Sequence, residues 1–136
     1  MFKRLLVPID LSDRNERTLR TALGLARQSG ARVTLLHVIY RIGDGELRAF
    51  YQRLMKASAR KLDLTAKPFA ARGIRVSAEA LIGEPAVEIV RAAARLKADL
   101  IVMGSHKVNP RRRTRGWGTT SYKVGMLCQC PILLVK

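Results

Sequence analysis

Short apolar runs alternate with longer amphipathic stretches along the whole chain. The apolar runs cover residues 2–9, 32–40, 73–83, 98–103 and 131–135. Runs that are apolar at nearly every position are typical of strands covered on both faces of a sheet. Pro8 has no N–H for a strand ladder, so we expect it at the end of the first strand.

The first helix has signals at both of its ends. Ser12 or Asp13 is predicted to cap its start, with Glu16 as the partner of Asp13 in a capping box. Gly30 follows the last apolar position of the helical pattern and is predicted to end the helix.

The three later helices begin near Gly45, at Pro85, and at Gly118 or Thr119. Proline suits the first turn of a helix, which favours the start at Pro85. The second helix is predicted to run from about residue 45 toward residue 72, and Pro68 should kink or break it because proline removes a helical hydrogen bond.

Strands and helices in regular alternation predict one α/β domain over residues 1–136. The expected fold is a five-stranded parallel sheet with helices on both faces, a three-layer arrangement of the flavodoxin or Rossmann type. Ligands of such sheets lie beyond the carboxyl ends of the strands. Functional residues are therefore expected just after Ile9, Val38, Ile82 and Met103.

Composition narrows the class of protein. A hydrophobic share of 48% excludes a disordered chain, and no apolar run reaches the roughly 18 residues of a membrane span. Pro8 and Asp10 follow the start too closely for a signal peptide, so the expected location is the cytoplasm. Cys128 and Cys130 are expected to be buried reduced thiols, with a redox role as the alternative, and no metal site is predicted.

The charge is strongly positive, with 26 Lys and Arg against 10 Asp and Glu and a formal net charge of +16. No acidic residue occurs from residue 100 to residue 136. This excess favours a partner that carries phosphate, although charge alone does not separate a nucleotide from nucleic acid or acidic lipid.

Two short motifs carry the candidate chemistry. Residues 104–107 read GSHK after the fourth strand, and residues 118–121 read GTTS at the start of a helix. Glycine allows close approach of a ligand to the backbone, and the free N–H groups of a helix start attract anions. An ordinary helix cap after a solvated basic loop is an equally good interpretation of these residues alone.

Four segments resemble the universal stress protein family: residues 6–12 (LVPIDLS), 35–39 (LLHVI), 99–106 (DLIVMGSH) and 130–135 (CPILLV). The resemblance covers essentially the whole chain and is weakest between residues 42 and 67. It implies an adenine nucleotide alpha hydrolase-like fold. It also implies a homodimer formed through the C-terminal strand.

The nucleotide-binding branch of that family has a glycine, two residues, a second glycine, nine residues, and a glycine followed by Ser or Thr. Gly104 matches the first glycine, and Gly118 with Thr119 matches the last pair. Lys107 replaces the second glycine, and ten residues separate it from Gly118. The resemblance implies that Asp10 binds ribose, that the Val38 backbone meets adenine, and that Gly118 and Thr119 hold phosphates.

The complete candidate site lies at the ends of three strands and at the start of the last helix. Its nucleotide-binding residues are Pro8, Asp10, Val38, Met103, Gly104, His106, Lys107, Gly118, Thr119 and Thr120. Several of its side chains also have structural interpretations. Asp10 could form an Asx turn, His37 and His106 could be polar loop residues, and Trp117 could pack against protein.

Three functions remain open at this point. The first is a regulatory or stress-response protein that binds ATP, with or without Mg²⁺, and performs no fast catalysis, slow ATP hydrolysis being left open. The second is a family member that has lost nucleotide binding and acts through protein contacts, which Lys107 and the longer loop favour. The third is a binder of nucleic acid or another polyanion, although Trp117 alone offers a stacking ring in the basic loop.

Overall fold

The computed structural model describes residues 1–43, 47–105 and 119–136. Strands and helices alternate along the chain. They are β1 (Arg4–Pro8), a 3-10 turn (Asp13–Asn15), α1 (Glu16–Ser29), β2 (Arg32–Tyr40), α2 (Arg48–Ala71), β3 (Val76–Gly83), α3 (Pro85–Arg95), β4 (Leu100–Gly104), α4 (Thr120–Leu127) and β5 (Ile132–Val135).

The five strands form one parallel sheet in the order β3-β2-β1-β4-β5. The chain builds outward from β1 through β2 to β3, and then returns to add β4 and β5 on the other side. The strand order therefore reverses between β1 and β4, and this is the position where open α/β sheets form their ligand clefts. The predicted parallel sheet is confirmed.

Alternate residues of each strand enter two separate cores. Leu5 and Val7 of β1 lie in a core with Ala22 of α1 and Leu62 of α2. Leu6, between them in sequence, lies in a second core. Five buried residues from α3 and α4 complete that second core, and they are Ala86, Ile89, Ala92, Ala93 and Val124. Helices thus cover both faces of the sheet, which confirms the three-layer α/β fold.

The start of α1 differs from the predicted capping box. Ser12 caps the 3-10 turn instead, where its hydroxyl accepts a hydrogen bond from the Arg14 N–H at 3.2 Å. The turn moves Glu16 to the first position of α1, where its carboxylate accepts a hydrogen bond from Arg20 at 2.6 Å. The predicted end of α1 is confirmed, because Gly30 takes a left-handed φ of 67°.

Pro68 does not break α2, since the helix continues to Ala71. The proline lies in the last turn, where one lost hydrogen bond matters least. Phe69, the next residue, is only 2% exposed and packs in the first core, which holds the helix end against the sheet. The predicted start of α3 at Pro85 is confirmed. Within the described ranges, no helix is long and apolar enough to cross a membrane.

Candidate functional site

A cleft of about 360 Å³ opens at the carboxyl ends of β1, β2 and β4. This volume is in the range of small-molecule sites, and the cleft lies where the strand order reverses. Six predicted site residues line it, and they are Pro8, Asp10, Val38, Met103, Gly104 and Thr120. The structure therefore brings together residues that are more than a hundred positions apart in the chain.

Asp10 follows β1 and is held in a tight turn. Its Oδ1 atom accepts hydrogen bonds from the Ser12 N–H at 2.9 Å, from the Ser12 hydroxyl at 2.6 Å and from the side-chain amide of Asn15. The Ser12 bonds form an Asx turn, so the structural interpretation of Asp10 is realised at Oδ1. Leu11 in this turn has a φ of 63°, a left-handed conformation that is unusual for leucine.

The surroundings of Asp10 lower its pKa. Partial burial is the largest single influence and raises the pKa. The hydrogen bonds from Ser12 and Asn15, together with the positive charge of Arg14, outweigh it and leave the pKa below its ordinary value. Asp10 is therefore an ionised acceptor at neutral pH.

His37 and Val38 of β2 line the cleft. The Nδ1 atom of His37 lies 2.9 Å from the carbonyl oxygen of Ile9. Because a carbonyl only accepts, Nδ1 carries the proton in this contact, and Nε2 is the acceptor in the neutral ring. The contact joins the ends of β1 and β2 at the floor of the cleft.

Gly104 ends β4 at the cleft beside Thr18 of α1. A Cβ atom built on Gly104 would lie 3.4 Å from the Thr18 hydroxyl oxygen, which is ordinary contact distance. The fold itself therefore accommodates a methyl group at this position. The same methyl group would take space from a ligand in the cleft.

The start of α4 forms another wall of the cleft, through Thr120 and Ser121. Thr119 is the N-cap, and its hydroxyl accepts a hydrogen bond from the Tyr122 N–H at 3.3 Å. Thr119 thus supports the helix start and does not itself line the cleft. A helix start presents free N–H groups and a partial positive charge, both of which suit an anion.

Three cationic residues at the cleft were not predicted from the sequence: Arg14, Arg17 and Lys136. Arg17 donates a hydrogen bond to the carbonyl oxygen of Lys136 at 2.8 Å, which joins α1 to the residue after β5. Along the sequence, Arg14 and Arg17 look like ordinary solvent-facing residues of a helix start. Their only earlier signal was their position directly after the first predicted strand end.

The remaining predicted site residues, His106, Lys107 and Gly118, lie outside the described residues, as does Trp117. Their predicted roles in binding a nucleotide stay predictions.

The two cysteines are free and half-buried. The Cys128 thiol donates a hydrogen bond to the carbonyl oxygen of Cys130 at 3.2 Å. Burial, followed by the neighbouring Cys128, raises the pKa of Cys130, which keeps it protonated. The cysteines are therefore less buried than predicted, and their reduced state stays a prediction. In the part of the chain that is described, no group of three or more His, Cys, Asp or Glu is placed to hold a metal ion.

The fold and the cleft together define a doubly wound parallel α/β protein with a ligand-sized cleft at its switch point. The sequence profile of the universal stress protein family matches residues 1–136. The chain belongs to the universal stress protein family, as its sequence motifs predicted.

Curated universal stress proteins align with this chain over their full lengths. A universal stress protein of Thermus aquaticus is 33% identical over 138 residues, and the alignment covers all of both chains. The universal stress protein YxiE of Bacillus subtilis is 28% identical over 149 residues, again with both chains fully covered.

Solved structures show the same fold. The protein MJ0577 is 26% identical with a TM-score of 0.82, over 100% of this chain and 96% of that one. A universal stress protein of Archaeoglobus fulgidus, solved in complex with dAMP, is 24% identical with a TM-score of 0.72, over 99% and 98% of the two chains. Another universal stress protein, solved in complex with cAMP, is 20% identical with a TM-score of 0.80, over 99% and 97%.

Proposed function

We propose that the protein binds an adenine nucleotide, with ATP as the first candidate, in the cleft at the switch point, and that it serves a regulatory or stress-response role. The observation that carries the proposal is that one cleft has a negatively charged carboxylate on one wall and the positive end of a helix on another. Ionised Asp10 follows β1, while the helix start at Thr120 and Ser121 forms another wall. A nucleotide needs both an acceptor for its ribose hydroxyls and donors for its phosphates.

The two carboxylate oxygens of Asp10 have different surroundings, and this difference supports ribose binding. Oδ1 is occupied by Ser12 and Asn15, and these contacts hold the carboxylate in one orientation. No hydrogen bond joins Oδ2 to any residue in the described ranges. In the proposed complex this second oxygen accepts hydrogen bonds from the ribose hydroxyls.

The positive end of the cleft supports phosphate binding. Arg14, Arg17 and Lys136 add full positive charges to the partial charge of the α4 start. The dAMP and cAMP complexes of the two structural neighbours are consistent with an adenine nucleotide as the ligand class. Extension to the triphosphate rests on the cationic side chains of this chain alone.

The proposed role is binding without rapid hydrolysis. A general base works best with a pKa near the operating pH, and the lowered pKa of Asp10 makes it a weak base at neutrality. His37, the other titratable group on the cleft floor, uses its Nδ1 atom to bind Ile9. The Nε2 atom of His37 remains an acceptor, so the proposal of slow hydrolysis rests on the weak basicity of Asp10.

Calorimetric titration of Mg-ATP into nucleotide-free protein tests the proposal directly. We expect one site per subunit, and we expect excess inorganic triphosphate to leave ATP in place. Gly104→Ala should weaken ATP binding about tenfold or more, because its methyl group occupies ligand space while the fold tolerates it.

The matched variants are Asp10→Asn and Asp63→Asn, which remove the same charge from the cleft and from the exposed surface of α2. Only the cleft variant should lose affinity. If Mg-ATP does not bind, or if excess inorganic triphosphate abolishes its binding, the proposal is wrong and the search turns to partner proteins.

We also propose that the protein forms a homodimer through β5. This strand lies at an edge of the sheet, where Leu133 and Leu134 are 38% and 41% exposed. Met126 and Leu127 at the end of α4 are also exposed. An apolar sheet edge is protected most simply by pairing with a second copy.

Sedimentation velocity distinguishes the dimer from a monomer. Leu134→Lys places a charge on the proposed interface and should convert a dimer to a monomer. Leu64→Lys is the matched control, because Leu64 is exposed on α2. A wild-type protein that sediments as a monomer, or a Leu134→Lys variant that remains dimeric, would contradict this assembly.

A further inference from the structure

A second cavity of about 340 Å³ lies at the opposite end of the sheet from the cleft. It is formed at the amino ends of β1, β2 and β3 and is closed on one side by the end of α3. Four cationic residues line it: Arg4, Arg32, Arg95 and Lys97. On β1 the lining of this cavity ends at Leu6 and that of the cleft begins at Pro8, two residues or about 7 Å further along the strand, so the two cavities are separate.

The two strand arginines are direct neighbours across the sheet. Arg4 of β1 pairs with Arg32 of β2 in the parallel register, so their side chains project from the same face. Like charges in adjacent positions repel and weaken a sheet. This face is the one that α3 covers, since Leu6, two residues beyond Arg4, lies in the second core.

Nearby carboxylates are already used for other contacts. Glu79 binds Arg95 at 2.8 Å. Asp99 accepts hydrogen bonds from the backbone N–H groups of Lys3 and Arg4, at 2.8 and 3.0 Å. Among the described residues, no ion pair involves the side chains of Arg4, Arg32 or Lys97, so the cavity carries a positive surplus.

Lys97 has an unusual backbone conformation. It follows Leu96, the C-cap of α3, and has a φ of 53° at a position where glycine is the usual residue. The N–H groups of Lys97 and Ala98 bond to the carbonyls of Ala94 and Ala93 at 3.2 and 2.9 Å, which is a Schellman motif. A lysine in a glycine position adds a cation to the cavity at the cost of backbone strain.

Two hydroxyl groups lie on the same side of the sheet as the arginines. Thr34 follows Arg32 by two residues on β2, and its Oγ1 lies 3.3 Å from the Oγ of Ser77 on β3. Both residues line the cavity, and hydroxyl groups can donate to an oxyanion.

From the register of Arg4 and Arg32 and the strained Lys97, we propose that this cavity is a second anion site that binds a compact molecule with two or more linked phosphate groups. Guanidinium groups bind phosphate oxygens in pairs, and two adjacent arginines match two linked phosphates. The proposal is independent of the ligand of the cleft, because no residue lines both cavities.

The test is calorimetric titration of inorganic diphosphate into the full chain at about 150 mM salt, where nonspecific charge effects are screened. We expect saturable binding at this site, with single phosphate binding at least about tenfold more weakly. The double variant Arg4→Gln/Arg32→Gln should lose about tenfold or more in diphosphate affinity. Its folding should be preserved, since it removes a like-charge pair.

The matched control is Arg60→Gln/Lys67→Gln, which removes two exposed charges from α2 on the other side of the sheet. This control should keep its diphosphate affinity. Lys97→Gly is a second, independent variant that should also bind more weakly while keeping the fold. The proposal fails if wild-type protein does not bind diphosphate, if the Arg4 and Arg32 variant binds normally, or if the α2 control loses as much affinity.

Discussion

Asp10 divides two roles between its two carboxylate oxygens. Oδ1 closes the turn after β1 through Ser12 and Asn15, and Oδ2 is the oxygen proposed to receive the ribose. The sequence alone left an Asx turn and a ligand contact as alternatives for this residue. The two roles are compatible, because the turn uses Oδ1 and leaves Oδ2 for the proposed contact with the ribose.

Asp10→Asn should make the free energy of unfolding depend less on pH in the acid range. The lowered folded pKa of Asp10 means that its ionised form stabilises the fold above the unfolded pKa of about 3.9 and that this contribution is lost as the pH falls through the folded pKa. Asp10 is largely exposed, so solvent screening limits the effect to about 0.5 kcal/mol.

Urea unfolding of wild type and Asp10→Asn at neutral pH and near pH 3 measures this difference. Asparagine keeps an oxygen for the Ser12 bonds, so the comparison isolates the charge. The wild type should be more stable at neutral pH, and the gap should close in acid. An equal gap at both pH values would refute the assignment.

Lys97→Gly should stabilise the protein by about 1 kcal/mol, because glycine takes a left-handed conformation without the strain that lysine has there. Thermal unfolding should show a melting temperature roughly 4 °C higher. Lys123→Gly, at an exposed position inside α4 with ordinary helical backbone, is the contrasting change and should lower the melting temperature. A lower melting temperature for Lys97→Gly would show that its side chain contributes more than its backbone costs.

At the scale of elements, α4 depends on one buried apolar residue. Val124 is fully buried in the second core with Leu6 and Leu36, whereas most of the other side chains of α4 are partly or fully exposed. The same helix carries Thr120 and Ser121 to the cleft. Packing at Val124 therefore positions the helix start at which phosphates are proposed to bind.

Val124→Ala should cost about 2 kcal/mol of stability and should also weaken ATP binding, because α4 loses its buried apolar contact with the second core. Lys123→Ala on the same helix is the control, since Lys123 is exposed and its replacement should change stability by less than about 0.5 kcal/mol. Chemical unfolding and ATP titration of both variants provide the measurement. Equal losses in the two variants would contradict this role for Val124.

The elements themselves were largely predictable because their signals are local. The apolar run over residues 32–40 matches β2 at both ends, and Gly30 and Pro85 mark real helix boundaries. The 3-10 turn after β1 was not predicted, because Ser and Asp cap 3-10 and α-helical turns alike. Arg14 and Arg17 were missed because sequence spacing does not reveal that their helix start faces β4, nearly a hundred residues later.

At the scale of the whole molecule, positive charge dominates. The formal net charge is +16, and the described residues form only three ion pairs, all with exposed or partly exposed side chains. Mutual repulsion of the excess cations therefore opposes the compact state. Part of that repulsion is between Arg4 and Arg32 in the second cavity. The register of β1 and β2 makes these two residues neighbours, and the sequence alone does not reveal that register.

Added salt should stabilise the protein. Raising potassium chloride from about 20 mM to about 300 mM shortens the screening length and should raise the melting temperature by a few degrees. Thermal unfolding across this range checks the sign. A falling melting temperature would mean that attractive ion pairs, rather than repulsion, govern the electrostatics of the fold.

The central place of β1 in the sheet also has a consequence for synthesis on the ribosome. β1 is made before the other four strands of the sheet, yet Leu5 pairs with Leu100, and the Arg4 carbonyl oxygen accepts a hydrogen bond from the Asp99 N–H at 3.0 Å. At about 5 to 20 residues per second, one edge of the newly made strand waits about 5 to 20 seconds for its partner. During that interval the nascent chain exposes an apolar strand edge, and this is the stage at which a chaperone would protect it.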